Sequence, residues 1–327
     1  MRTLKIHFVD FWKDFDQENN FLVDALKVNF HLVIDATNPD LLICSNFGNS
    51  HFEYDTAKLH YTGENIAPDF NLFDYSIGHH KLNYEDRYLR WPFWRTSNDI
   101  VNKIQSRIKV AESELAKKKF CNFIYSNSQA DPIRDRFFQA LNKTKPVDSL
   151  GKHLKNTKGD ITPRKNSNWQ NGKIQVLQNY KFTICFENSS VNGYTTEKLI
   201  DAHMGQTVPI YWGNPSIEEN INPDALFIID DERNFDKIID KILNVDGDNK
   251  SYLKMVNEPL FLNNKIPPAL ADPILKEFLK NVGDQSLNGV RYVSNYGNMK
   301  IYQDKQKLAS KPKQKNKGLR KILTKLF

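Results

Sequence analysis

Residues 182–213 read FTICFENSSVNGYTTEKLIDAHMGQTVPIYWG, and this stretch decides the fold of the chain. Residues 182–186 form a short run of β-forming side chains, followed by the turn-prone segment NSSVNG. From residue 195 the apolar period becomes helical, with Thr196 as candidate N-cap and Gly205 as the stop. Residues 208–212 again predict a strand. The pattern predicts one βαβ unit, whose ligand site lies at the carboxyl end of its first strand.

Two charged residues, Glu197 and Lys198, stand in the first turn of the predicted helix. Backbone N–H groups at a helix N-terminus attract anions, so a lysine there can approach a phosphate. A glutamate in the same turn can accept hydrogen bonds from the two hydroxyls of a ribose. Taken alone, the triplet is also compatible with a capping glutamate and a solvated lysine on an ordinary helix.

Length and composition favour a globular protein of two domains. The 327 residues are 39% hydrophobic and 12% aromatic, which is enough to build two cores. No run of eighteen uncharged apolar residues occurs, so no transmembrane helix is predicted. The opening residues have a strand pattern, unlike the apolar region of a signal peptide. The cysteines Cys44, Cys121 and Cys185 lie in separate apolar runs, which predicts buried reduced thiols and a reducing cytoplasm.

The net charge of +7 is concentrated in the last residues of the chain. Residues 305–327 carry nine lysines and arginines and no acid, so subtracting nine from +7 leaves −2 for residues 1–304. A nearly neutral body argues against a nucleic-acid-binding protein. In residues 319–327, apolar side chains recur at helical spacing among basic ones, which predicts peripheral contact with an anionic membrane. A disordered solubilising tail is the alternative, since so short a helix is marginal in water.

Strand patterns alternate with helical patterns along the chain, which predicts mostly parallel sheets. We expect strands at residues 3–9, 30–34, 41–45, 58–61, 75–78, 120–125 and 225–229. We expect helices at residues 11–28, 96–118, 132–141, 173–180, 235–243, 251–256 and 273–282, the second of them bridging two domains. Residues 148–172 predict a long polar loop, which is long enough to be functional or mobile.

Three blocks of this sequence resemble the α-1,3-fucosyltransferases. Residues 182–213 resemble the family's donor-binding motif, which in bacterial members reads close to FEN…GY.TEKI.DA……PIYWG. YTGEN at 61–65, with PDFNLFDYSIG at 68–78 and DRYLRWP at 86–92, resembles the N-terminal signature. YSNSQADPIR at 125–134 is similar to the SNP…R segment. The blocks follow the family's order, and the resemblance implies the α/β GT-B fold of two Rossmann-like domains facing across a cleft.

The resemblance also implies a division of the chain and a set of site residues. We expect an N-terminal acceptor-binding domain at 1–112, a GDP-fucose-binding domain at 117–300 and a basic amphipathic tail at 305–327. Arg134 and Lys198 would contact the nucleotide phosphates, Glu197 the ribose hydroxyls, and Asn188 and Tyr194 the rest of the donor. Glu187 receives no role. Outside this context, Arg134 would be a surface helix cation.

Glu64 is the predicted catalytic base. It follows the strand at 58–61, where parallel-sheet proteins present reactive side chains, and a carboxylate there can take the proton of an acceptor hydroxyl. Its alternative role is that of a turn carboxylate capping neighbouring amides. No metal ion or other cofactor is expected to be required, because Arg134 and Lys198 already supply positive charge and the triplet at 246–248, Asp-Gly-Asp, is typical of a turn.

The resemblance implies an inverting enzyme that moves fucose from GDP-fucose to the 3-hydroxyl of GlcNAc in galactosyl-GlcNAc acceptors, giving a Lewis x-type product. The sequence shows no counterpart of the N-terminal anchor of animal and plant relatives, so we expect either a cytoplasmic protein on the inner face of a bacterial membrane or a shortened form of an anchored one. It also lacks the heptad repeats of bacterial family members, so no oligomeric state is predicted. Alternatives are a GT-B transferase for another nucleotide sugar, or a non-catalytic membrane- or nucleic-acid-binding protein that depends on the basic tail.

Overall fold

The structure is a computed structural model that describes residues 1–158 and 169–310. Its first sheet has six parallel strands in the spatial order β2-β1-β3-β4-β5-β6. They are β1 (Arg2–Val9), β2 (Phe30–Ile34), β3 (Leu41–Cys44), β4 (Ala57–Tyr61), β5 (Tyr75–Gly78) and β6 (Tyr88–Arg90). Every residue of β3, β4 and β5 is buried, as expected for parallel strands covered on both faces.

The second sheet has five parallel strands in the order β11-β10-β9-β7-β8. They are β7 (Lys119–Phe123), β8 (Val147–Ser149), β9 (Tyr180–Phe186), β10 (Val208–Trp212) and β11 (Phe227–Ile228). Phe182 pairs with Val208, and Phe186 with Trp212, so β9 and β10 end at the same edge. Two α/β units, each built on a parallel sheet, confirm the predicted fold class.

Nine α-helices lie within the described residues. They are α1 (Phe21–Leu26), α2 (Asn98–Gln105), α3 (Ile133–Thr144), α4 (Trp169–Leu177), α5 (Glu197–Met204), α6 (Phe235–Gly247), α7 (Asn249–Val256), α8 (Asp272–Leu287) and α9 (Gly297–Ala309). In the central motif, β9, α5 and β10 form the predicted βαβ unit. The strands β6 and β8 are short, and neither was predicted.

Helix α8 packs on the first sheet although it follows the second sheet in the chain. Leu275, Leu279 and Val282 share a core with Leu4 of β1. Gly283 lets the helix approach closely, because a Cβ there would lie 2.5 Å from the ring of Phe30. The ranges 1–112 and 117–300 stay a prediction, but α8, within the second range, completes the core of the first sheet.

Three predicted helices include several residues that are not α-helical. The helix expected at 11–28 begins at Phe21, because the Asn20 side chain accepts from the N–H groups of Leu22 and Val23 and caps it there. The stretch at 96–118 is helical at Asn98–Gln105 and ends in a 3₁₀ helix, Glu112–Lys117. The helix expected at 173–180 spans Trp169–Leu177, and Tyr180 opens β9.

The predicted tail begins inside a helix, since α9 continues to Ala309. Residues 311–327, including the amphipathic segment at 319–327, and residues 159–168 of the predicted loop lie outside the described residues. In the described part of the chain, none of the helices combines the length and apolar character needed to cross a bilayer. The three cysteines are free thiols and buried, as predicted.

Candidate active site

The predicted site residues come from the carboxyl edges of both sheets. Glu64 lies in the turn that follows β4, and residues 187–196 form the loop between β9 and α5. We call these segments the Glu64 turn (residues 62–65) and the donor loop (residues 187–196). Because parallel strands end at one edge of a sheet, each segment is presented at the edge where α/β proteins bind ligands.

Glu187, which sequence reasoning left without a role, organises the start of α5. Its fully buried carboxylate accepts from the backbone N–H and the hydroxyl of Thr196, each at 2.7 Å. Lys198 Nζ lies 3.0 Å from the same carboxylate. Thr196 was predicted to cap α5 with its side chain. It does not, because its hydroxyl donates to Glu187 instead. Gly213 makes room for this arrangement, since a Cβ there would lie 2.5 Å from the Glu187 Cγ.

Lys198 is held between two carboxylates, with Glu197 Oε1 at 4.0 Å on the other side. Burial acts to lower the pKa of the lysine, but Glu187 and Glu197 outweigh it, so the pKa of Lys198 is raised. The ammonium group is therefore charged at neutral pH. A fixed cation at the start of a helix is suited to a diphosphate, whose charge grows as it leaves a sugar.

Arg134 lies in the first turn of α3 and is buried, unlike the surface cation that its sequence context alone suggests. Its guanidinium group stacks 4.5 Å from the ring centroid of Tyr125, and Nη2 donates to the Asn127 carbonyl at 2.8 Å. The other terminal nitrogen, Nη1, has no partner among the described residues. A buried guanidinium nitrogen with an unused N–H fits a phosphate oxygen.

The donor loop is joined to α3. The backbone N–H of Asp131, just before α3, donates to the Asn188 carbonyl at 2.8 Å. The Tyr125 hydroxyl accepts from the Phe186 N–H at 2.6 Å and so fixes the end of β9. Arg134, Asn188 and Lys198 thus all lie at the carboxyl edge of the second sheet.

Glu64 is exposed, and its turn touches the donor loop. The Thr62 hydroxyl accepts from the Glu64 N–H at 3.0 Å and fixes the backbone of the turn. Next to Glu64, the side-chain amide of Asn65 donates to the hydroxyl of Ser189 in the donor loop. The predicted base and the predicted donor residues are therefore neighbours, although more than 120 residues separate Asn65 from Ser189 in the chain.

His79, which the sequence did not point to, contacts both the Glu64 turn and the donor loop. Its Nε2 lies 3.1 Å from the Gly63 carbonyl, and its ring packs edge-on against Tyr194 at 5.4 Å between centroids. Burial lowers the pKa of His79 to about 4, so the ring is neutral at physiological pH. A neutral ring donates its single N–H to Gly63, one residue before Glu64.

Gly193 is the point where the donor loop docks on the first half of the protein. It has a φ of 92°, and a Cβ there would collide with the His79 carbonyl. Arg90 Nη2 donates to the Gly193 carbonyl at 3.3 Å, and the Lys81 N–H donates to the Asn192 carbonyl at 3.0 Å. The glycine in the GY pair of the motif therefore serves a close backbone contact between the two units.

Two exposed aromatic rings stand at the same edge of the first sheet as the Glu64 turn. Trp12 follows β1 and is 46% exposed, and Phe47 follows β3 and is 54% exposed. Their rings meet edge-on at 6.2 Å. The Phe47 loop is joined to the Glu64 turn, because the neighbouring Asn46 amide donates to the Thr62 hydroxyl.

The carboxylates that could suggest a metal site are engaged in helix capping, ion pairs or hydrogen bonds to the backbone. Asp248 caps α7, and Asp246 pairs with Lys145 and Lys181, so this Asp-Gly-Asp triplet is structural. Asp16, in a further Asp-x-Asp triplet, accepts from the N–H groups of Glu18 and Asn19. Among the residues that the structure describes, no three His, Cys, Asp or Glu side chains form a group that could hold a metal ion.

Comparison with known proteins identifies this arrangement. Residues 6–97 match the model of the "Alpha-(1,3)-fucosyltransferase FucT N-terminal domain", and residues 114–257 match "Glycosyltransferase family 10 (fucosyltransferase) C-term". The α-(1,3)-fucosyltransferase FucT of Helicobacter pylori is 34% identical over an alignment of 296 residues, which covers 78% of this chain. This chain spans 60% of the length of that relative.

Solved structures show the same relation. A crystal structure of an α1,3-fucosyltransferase matches 90% of this chain and 93% of its own, with a TM-score of 0.74 and 30% identity. A crystal structure of an α1,3-fucosyltransferase with GDP-fucose matches with a TM-score of 0.72, also at 30% identity. The two parallel units with a donor loop at their junction thus define a GT-B glycosyltransferase fold. The chain belongs to glycosyltransferase family 10, the α-(1,3)-fucosyltransferases.

Proposed function

We propose that this protein transfers fucose from GDP-fucose to the 3-hydroxyl of GlcNAc in N-acetyllactosamine-type acceptors, with inversion at the anomeric carbon. The observation that supports it most is the contact between the Glu64 turn and the donor loop through Asn65 and Ser189. It sets an exposed carboxylate beside the loop that in the family binds the donor. GDP-fucose as donor is supported by the related enzyme with that ligand.

In the proposed reaction, the acceptor O3 attacks C1 of fucose on the face opposite the diphosphate. The bond from O3 to C1 forms as the bond from C1 to the β-phosphate oxygen breaks. Glu64 takes the hydroxyl proton, and GDP leaves with the bonding electrons. Arg134 and Lys198 stabilise the charge that develops on the diphosphate. A single displacement of β-linked GDP-fucose gives an α-fucoside, whereas a double displacement would retain the configuration.

Each donor residue has a role in this proposal. Glu197 binds the ribose hydroxyls, and Asn188 and Tyr194 complete the donor pocket. Since Arg134 and Lys198 supply two cations, transfer is proposed to proceed without an essential divalent metal. Protein that has been treated with EDTA and dialysed is expected to keep its activity, and a complete loss that Mn²⁺ reverses would contradict this part of the proposal.

The direct test is to incubate the protein with GDP-fucose and N-acetyllactosamine and to determine the product linkage by NMR. An α-1,3-fucoside is expected, and a folded protein that transfers nothing to any β-galactosyl-GlcNAc acceptor would refute the proposal. Competition distinguishes the rival transferase for another nucleotide sugar, because GDP should inhibit and UDP should not.

Glu64→Gln tests the assignment of the base. The amide cannot take a proton, so kcat is expected to fall about 10²–10⁴-fold, while the affinity for GDP stays unchanged. Glu112→Gln is the matched control, because Glu112 is an exposed glutamate of the 3₁₀ helix Glu112–Lys117. Loss of both turnover and GDP binding in Glu64→Gln would mean that Glu64 is structural.

A further inference from the structure

A cavity of ≈ 160 Å³ lies on the first unit, away from the donor loop. It is enclosed by β4, the 3₁₀ helix Ser50–Glu53 and helix α9. Its wall carries the basic side chains of His51, Lys58, Lys300 and Lys307, the amides of Asn295 and Gln303, and the carboxylates of Glu53, Asp55 and Asp304. Since side chains alternate along a strand, Lys58 points to the face opposite Leu59 and Tyr61, which belong to the core under α1 and α8.

Lys58 is buried and has no direct ion pair, although the nearby Asp74 and Asp55 carboxylates favour its charged form. Its exposed fraction is 5%, and its ammonium group makes no hydrogen bond or ion pair within residues 1–158 and 169–310. The buried Asp74 carboxylate is engaged by the N–H groups of Lys58, Tyr292 and Val293, at 2.9, 2.6 and 2.9 Å. Asp55 pairs instead with Arg291 at 3.1 Å. Burial disfavours an ammonium group that makes no direct ion pair, so an anion in the cavity would stabilise it.

A second buried group on the same wall also lacks a partner. His51 is 7% exposed, and its Nδ1 lies 2.7 Å from the Asp10 carboxylate. Its Nε2 has no partner among the described residues. In the tautomer that donates Nδ1–H to Asp10, Nε2 offers a lone pair that accepts an O–H. The cavity therefore combines a cation with a hydrogen-bond acceptor.

We propose that this cavity is a binding site for a small phosphate-type oxyanion. The oxygens of hydrogen phosphate can accept hydrogen bonds from the Lys58 ammonium group, and its O–H can donate to His51 Nε2. The volume has room for such a group together with water, but it is well below the roughly 300 Å³ at which pockets for larger ligands begin. The occupant is inorganic phosphate or the phosphate of a small metabolite. Lys300 is paired with Asp304, which leaves Lys58 as the principal cation.

The experiment is isothermal titration of the full chain with inorganic phosphate in the presence of saturating GDP, which occupies the phosphate-binding residues of the donor site. Wild-type protein is expected to bind one phosphate, and sulfate, which has no O–H at neutral pH, is expected to bind at least about fivefold more weakly. Lys58→Met should abolish binding. Lys300→Met, which removes an exposed and ion-paired lysine on the same wall, should change the Kd less than about twofold.

Thermal unfolding shows whether the Lys58→Met protein is folded. Because the substitution removes a buried charge that has no direct ion pair, the Tm of Lys58→Met should be at least about 2 °C higher than that of wild type. Phosphate should raise the Tm of the wild-type protein but not that of Lys58→Met. The proposal is overturned if wild-type protein binds no phosphate at 20 mM, if Lys58→Met binds it as wild type does, or if Lys300→Met loses binding to the same extent. None of these readouts depends on fucose transfer.

Discussion

The two carboxylate oxygens of Glu187 are shared among three donors: the N–H and hydroxyl of Thr196 and the ammonium of Lys198. A glutamate at a strand end is ordinarily solvated, but here it lies at the bottom of the donor loop and is fully buried. Its charge therefore has two functions. It orients the first turn of α5, and it holds the ammonium group of Lys198 at the start of that helix.

Glu187→Gln tests this role at the scale of one residue. The amide nitrogen cannot accept a hydrogen bond, and Lys198 loses its closest counter-ion, so the free energy of unfolding should fall by about 3 kcal/mol. The affinity for GDP should fall with it. Urea unfolding and GDP titration measure the two effects. Glu219→Gln is the control, because the Glu219–Lys81 pair is half exposed and its loss should cost less than about 1 kcal/mol. Equal effects of both substitutions would contradict the role of Glu187.

At the scale of elements, the loops after β1, β3 and β4 meet because these strands are neighbours in the sheet. The first two carry the exposed rings of Trp12 and Phe47, and the third carries Glu64. Such rings beside the carboxylate that we propose as the base suit an acceptor sugar, since the negative face of an aromatic ring attracts the C–H hydrogens of a pyranose.

Trp12→Ala and Phe47→Ala are each expected to raise the KM for the N-acetyllactosamine acceptor about tenfold, which corresponds to about 1.4 kcal/mol. The KM for GDP-fucose should stay within twofold, because neither ring belongs to the donor loop. Steady-state kinetics with each substrate varied in turn provide the measurement. Tyr296→Ala serves as control, since Tyr296 is an exposed aromatic residue that precedes α9. An unchanged acceptor KM in both variants would exclude the two rings from acceptor binding.

The elements also show what sequence can predict. The βαβ unit of β9, α5 and β10 was predicted within about two residues because its strands and helix alternate within one continuous segment. The helix expected at 11–28 was wrong because aromatic residues at 11–15 fit a helical period, yet they stack in a loop. The roles of Glu187 and His79 were missed because their partners become neighbours only when the donor loop folds back on two sheets.

At the scale of the whole molecule, the two units touch through the donor loop at Asn65, Lys81 and Arg90. Buried histidines lie near this junction and elsewhere in the fold. Burial lowers the pKa of His79 to about 4 and of His60 to about 3. Folding therefore disfavours the protonated form of both rings, whereas the unfolded chain protonates them near pH 6.5.

This difference predicts acid sensitivity. Below pH 6.5 the unfolded state binds more protons, so the free energy of unfolding falls with pH down to about pH 4 for His79. Between pH 7.5 and 5.5 each such histidine should contribute a loss of about 1 kcal/mol. Urea unfolding across this range measures the slope. His79→Phe, which keeps a ring against Tyr194, should reduce the slope by one histidine's share, and an unchanged slope would contradict the assignment.

The return of helix α8 to the first sheet has a consequence for biosynthesis. Residues 1–90 supply all six strands of that sheet, but Leu275, Leu279 and Val282, which cover Leu4 and Phe30, emerge from the ribosome much later. At about 5–20 residues per second, the 160 or so residues between 112 and 272 take roughly 10–30 s to synthesise. The first unit is therefore translated first but completes its core last. During this interval its apolar face needs protection from aggregation.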